Sequence, residues 1–138
     1  MTSSTTPASP SAAARRAKHL WTITGMGLLL YLVFHVLSTL LEGVDPALEG
    51  NEAQAMWVWT ISLGIAFLPT LLSALGESRA IAWVIFVLGI VSVLLGLLIA
   101  YQYGINASAG YIALTIAVFM LLPAVFALPH TLRWARGG

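Results

Sequence analysis

The sequence predicts an all-α polytopic membrane protein, a four-helix transmembrane bundle with N and C termini cytoplasmic. Three observations predict it. Of 138 residues, 59% are hydrophobic and 8% charged, against roughly 25% charged in an average soluble domain. Four apolar stretches, near 20–41, 55–75, 80–103 and 109–131, each reach the roughly 20 residues needed to cross about 30 Å of hydrocarbon. Finally, the charges are sorted. Arg15, Arg16, Lys18, Arg79, Arg133 and Arg136 account for all 6 cations and flank the spans on one side, whereas Glu42, Asp45, Glu49 and Glu52 occupy the first loop on the other. Cationic segments resist translocation, so the arginine side is the cytoplasmic one, and the expected home is a bacterial inner membrane.

Residues 1–18, rich in Ser, Thr, Ala and Pro at their start, read as a disordered cytoplasmic tail ahead of a single transmembrane domain over 19–138. The run after Arg15-Arg16 imitates a signal peptide, but its apolar stretch is too long for an h-region and no small-x-small cleavage site closes it, so it reads as a retained helix. The first loop carries acids, Pro46 and glycines and reads as a solvated connection. The short GESR and GINASAG connections make helices 2 with 3 and 3 with 4 antiparallel neighbours. Asn106-Ala107-Ser108 in the latter fits the glycosylation acceptor pattern but lies very close to the bilayer. Aromatic residues are expected at the headgroups: Trp21, Trp83 and Trp134 on the inner side, and Trp57, Trp59, Tyr101, Tyr103 and Tyr111 on the outer. Pro69 and Pro123 fall within FLPTLLSAL and LLPAVFAL, a likeness that hints at a duplicated hairpin. Each proline frees a backbone carbonyl, and adjusted packing is the expected consequence.

Charge and composition exclude several functions. Without cysteine there are no disulfides, thiolate metal sites or Cys nucleophiles. With its cations spent on topology the chain has no basic face for nucleic acid. No Ser/His/Asp arrangement, carboxylate pair or phosphate loop is present, so catalytic residues are none and the chain is not expected to be an enzyme.

Two stripes stand out inside the spans. On helix 1, Thr24, Gly27, Tyr31, His35, Ser38 and Glu42 recur at steps of three and four, a polar band roughly 80° wide. His35 is the one strongly ionisable group deep in a span, costly to leave unpaired, and is therefore the default functional candidate with Tyr31, Ser38 and Thr39 one turn away. Read blandly, the same histidine is polar glue between helices, and no second intramembrane acid or base continues a proton relay. On helix 3, Gly89, Ser92, Gly96, Ala100 and Gly104 form a small-residue helix-packing seam, facing either this chain, an identical copy or another subunit. His19 and His130 flank the inner interface and would share a metal or haem if helices 1 and 4 are neighbours. His35 sits about 24 Å deeper than His19 at 1.5 Å per residue, so it joins neither, and no resident metal is expected.

Ile23-Thr24-Gly25, with His35-Val36-Leu37 following, resembles the first membrane helix of succinate dehydrogenase and fumarate reductase membrane-anchor subunits. Phe67-Leu68-Pro69 resembles the approach to a haem-ligating histidine in helix 2 of some of those anchors. The resemblance covers about a third of the chain. It departs from the family's pattern at Thr22, where the motif has Arg, at the LLSAL run with Ser73 and no histidine, and in having four spans. It thus implies a haem-poor or haem-free anchor in which Ser73 and His35 hydrogen-bond a quinone. The leading expectation is a small non-catalytic structural or accessory subunit of a membrane complex or homo-oligomer, without cofactor. The alternatives are a quinone-linked anchor, with quinone or haem entering only there, and a homo-oligomeric channel or transporter lined by the helix 1 stripe.

Overall fold

The computed structural model describes residues 11–42, 50–105 and 114–137, with side chains throughout except at positions 38, 39, 42, 52, 55 and 102–105. The described residues are all helical apart from short connections: α1 (Ala12–Glu42), α2 (Glu52–Leu75), α3 (Arg79–Ile105), and a fourth helix made of a π-helical segment (Ile116–Leu121) continued by α4 (Leu122–Ala135). Four helices are long and apolar enough to cross a membrane: Ala12–Leu37, Met56–Leu75, Arg79–Tyr101 and Ile116–Ala135. Each packs on its neighbours in chain order and the fourth closes onto α1, giving an antiparallel ring.

Local chemistry sets the ends. Ser11 caps α1, its Oγ accepting the Ala14 N–H at 3.1 Å, and the alanines that follow are the strongest helix formers. The helix thus begins at Ala12, inside the segment expected to be tail, because Ala14 and Ala17 are buried with Ala124, Ala127, Trp134 and Ala135. Residues 1–10 lie outside the described residues. Ser78 caps α3 in the same way, accepting from the Ile81 N–H at 3.2 Å. At the far end of α4, Gly137 has φ +86° and donates its N–H to Trp134 O at 3.0 Å, the left-handed closure that glycine takes without a Cβ penalty. Residues 43–49 of the first loop and the Asn106-Ala107-Ser108 pattern fall outside the described residues.

Two interhelical devices hold the ring. Pro69 has no N–H for the carbonyl of Ile65 four residues earlier, and the single hydroxyl proton of Ser92 on α3 is shared between that carbonyl, at 3.3 Å, and Leu88 O of its own helix, at 2.8 Å. Pro123 likewise deprives the carbonyl of Phe119, and there the ladder relaxes into the π segment, with Leu122 N–H donating to Ala117 O. The helix 2 and helix 4 halves therefore answer their prolines differently. The Phe119 carbonyl, one turn before that proline, is where Gly27 of α1 makes backbone-to-backbone contact, with no room for a Cβ.

The aromatic residues sort differently from a simple belt. Trp57 (69% exposed) and Trp83 (44%) face outward as expected, but Trp21 (0%) and Trp134 (4%) are core. Trp21 Nε1–H donates to Thr131 Oγ1 at 2.9 Å, and the Thr70 hydroxyl donates to the Trp21 carbonyl at 2.7 Å. A buried indole needs a partner for its N–H, and threonines on α4 and α2 fix this ring and its backbone. Trp134 Nε1–H donates to Glu77 O at 3.1 Å. Glu77 also pairs with Lys18 at 2.9 Å, so the α2–α3 connection closes the end of the bundle that holds the termini.

Candidate functional site

The helix 1 stripe faces inward along its described length. Thr24 is buried and back-bonds Leu20 O at 3.0 Å, Gly27 abuts Phe119, and Tyr31 is 1% exposed. The backbones of Ser38 and Glu42 complete the last turns of α1, but their side chains are outside those described. His35 is half-buried, with its ring 4.5 Å from that of Trp59 on α2 and 5.9 Å from that of Tyr31. Trp59 Nε1–H donates to Tyr31 Oη at 3.3 Å, and their rings are 6.4 Å apart. Three rings from two helices thus form one cluster. Sequence spacing brought Tyr31 and His35 together; Trp59 was expected at the headgroups, and no local signal joins it to residues 28 and 24 positions away.

Beneath the cluster is a cavity of about 10 Å³, walled by Leu28, Tyr31, Ala66, Gly96, Ile116 and Met120. That is space for about one water-sized probe, and the walls are apolar. A quinone ring does not fit inside it, so any ring meeting His35 would approach from the lipid side. Ser73, the other group implied by the family resemblance, is buried and donates to Thr70 O at 2.7 Å. It sits near the opposite end of α2 from Trp59.

The helix 3 seam is occupied within the chain. A Cβ at Gly89 would strike Trp21 at 2.7 Å, and one at Gly96 would meet Leu121 at 2.5 Å. Ser92 reaches Ile65 O, and Ala100 packs on the cluster around Leu28 and Tyr31. Gly104 lies in the last turns of α3, and its surroundings are outside the described residues. Small residues let helices 2 and 4 approach α3 closely, and let the Trp21 ring of α1 reach it, for the dispersion contacts that drive association where no water is displaced.

His19 and His130 line one open cleft between α1 and α4, together with Arg15, Arg16 and Leu20. The expected neighbourhood of helices 1 and 4 is real, but two guanidinium groups flank the imidazoles, and no group of three or more His, Cys, Asp or Glu suited to a metal occurs among the described residues. Guanidinium carries a fixed positive charge and offers only donors. This cleft is set up for an anion rather than a cation.

No family model matches the chain, and no curated protein or solved structure gives a significant match to it.

Proposed function

We propose that this protein is a small non-catalytic integral membrane protein, a structural or accessory subunit of a larger membrane assembly or homo-oligomer, with both termini in the cytoplasm of a bacterial inner membrane. The observation that carries the reading is where the polar and small residues go. Thr24, Tyr31, Ser73, Ser92 and Thr131 bond within the bundle, and Gly27, Gly89 and Gly96 serve contacts between its own helices. What is left outward is a set of large apolar side chains, among them Leu40, Leu41, Met56, Leu75 and Leu94, which suit lipid or another membrane subunit. Thr24, Gly27 and Tyr31 of the helix 1 stripe point into their own bundle, which leaves that part of the stripe unable to line a channel between copies. Native mass spectrometry of the protein solubilised gently from its own membrane tests the reading. A complex with itself or with other membrane subunits is expected, and a lone monomer throughout would refute it. Reporter fusions that placed residues 42–52 in the cytoplasm would refute the orientation.

A second reading, the quinone-linked anchor, is favoured by the Tyr31–His35–Trp59 cluster, whose half-buried imidazole stands at the edge of the bundle. In that reading His35 donates to or accepts from a quinone oxygen, and the rings of Trp59 and Tyr31 hold the headgroup. Copurification of flavin and iron–sulfur subunits, with quinone reduction lost in His35→Ala while assembly persists, is the expected result. Lost assembly with no redox partner would return His35 to the role of interhelical glue.

A further inference from the structure

We infer that the cleft formed by Arg15, Arg16, His19 and His130 binds the headgroup of an anionic phospholipid from the leaflet on the side of the termini. It is a shallow, open cleft of about 440 Å³ at the end of the bundle that holds the termini. The chain has five acids; Glu42, Asp45, Glu49 and Glu52 fall in sequence between the last turn of α1 and the first of α2, and the fifth, Glu77, is paired with Lys18 at 2.9 Å. Residues 1–10 contain no acid either. Among the described residues no ion pair engages Arg15, Arg16, His19 or His130, so the guanidinium and imidazole groups that border the cleft are available to a phosphate, above a floor that is mainly apolar.

The occupant is a lipid rather than a dissolved anion because the same helix faces continue as apolar surface. At steps of four and seven residues, Arg15 and His19 share their face of α1 with Met26, 65% exposed. His130 shares its face of α4 with Phe126 and Leu122, 58% and 52% exposed. A headgroup seated among the arginines would lay its acyl chains along Met26 and Phe126, and basic pockets between transmembrane helices are a recurrent way of holding anionic lipids. The inference rests on the helices crossing a bilayer and not on the accessory-subunit reading, so either can fail alone.

The test uses the full-length protein in nanodiscs of equal phosphatidylglycerol and phosphatidylcholine, with retained lipid counted by native mass spectrometry. Preferential retention of phosphatidylglycerol is expected. Arg15→Gln and Arg16→Gln together should reduce that preference about 25-fold, at about fivefold per arginine near an anionic surface. Arg133→Gln, which removes an exposed cation of the same end from outside the cleft, reports the cost of losing surface charge alone and should reduce the preference less than either cleft substitution. Should the double variant fail to fold, either single substitution carries the comparison at about fivefold. Equal retention of the two lipids would overturn the inference, as would equal losses from Arg133→Gln and from the cleft variants. Displacement of phosphatidylglycerol by inorganic phosphate, beyond that caused by chloride of matched ionic strength, would show a soluble-anion site and overturn it too.

Discussion

The tightest approach between helices is testable with one methyl group. In Gly27→Ala the added Cβ would fall on the carbonyl of Phe119, with Met120 N at 3.0 Å. The obstacle is backbone, which cannot swing aside as a side chain does. Restoring a C···O separation of about 3.3 Å requires α1 and the π segment to part by on the order of 1 Å, a gap that forfeits a quarter to a half of each dispersion contact along the seam. Forced insertion into a packed interior costs typically about 1–3 kcal/mol, equivalent to about 5- to 150-fold in the folded fraction. Gly64→Ala is the control. A Cβ there meets nothing within 4 Å, and alanine is the better helix former, so that variant should be neutral or slightly stabilised. Reversible denaturation in bicelles, followed by tryptophan emission, reads both. If Gly27→Ala lost less than about 0.5 kcal/mol, well below the overpacking range, or no more than Gly64→Ala, the close backbone contact would be refuted.

Ser92→Ala should cost about 0.6 kcal/mol, the average for an interhelical hydrogen bond in membrane double-mutant cycles. If Ser92 answers the carbonyl freed by Pro69, that cost should shrink toward zero in a Pro69→Ala background, and a full cost there would show that the two are independent. Thr131→Val strands the buried Trp21 N–H and should lose about 1–2 kcal/mol, with Thr131→Ser largely retaining stability, both by the same denaturation assay. Lys18→Gln removes a pair whose side chains are 25% and 56% exposed. Its effect should stay below about 1 kcal/mol and shrink further in high salt; a larger loss would mean that the Lys18 contact with the Trp134 ring, at 5.8 Å, is the important one.

The spans were readable because hydropathy and charge act locally. The expected 55–75 and 80–103 sit inside Glu52–Leu75 and Arg79–Ile105. The early start of α1 was not readable from hydropathy, since Ala12 to Lys18 is too polar to look like a span. It is helical through a serine cap, alanine propensity and a partner surface on α4 that is more than 100 residues away in the chain. The inward orientation of Thr24, Gly27 and Tyr31 followed from spacing alone. Trp21, Trp59 and Trp134 did not, because an indole at a helix end reads as an interfacial anchor until the threonine, tyrosine or carbonyl that takes its N–H is known. Nor does sequence tell which neighbour a freed carbonyl meets. Pro69 and Pro123 look alike in one dimension and differ in three, since α3 offers Ser92 to one while α1 offers only the bare Cα of Gly27 to the other.

The bond from Ser92 to the Ile65 carbonyl also bears on how the chain is made. An open carbonyl in hydrocarbon costs several kcal/mol, and helix 2 is synthesised with one that Ser92 of helix 3 meets in the folded bundle. The second helix therefore gains from waiting at the insertion machinery until the third arrives, so that the two enter lipid as a hairpin. A nascent chain cut off after residue 78 would lack that partner and leave the Ile65 carbonyl without the Ser92 hydroxyl.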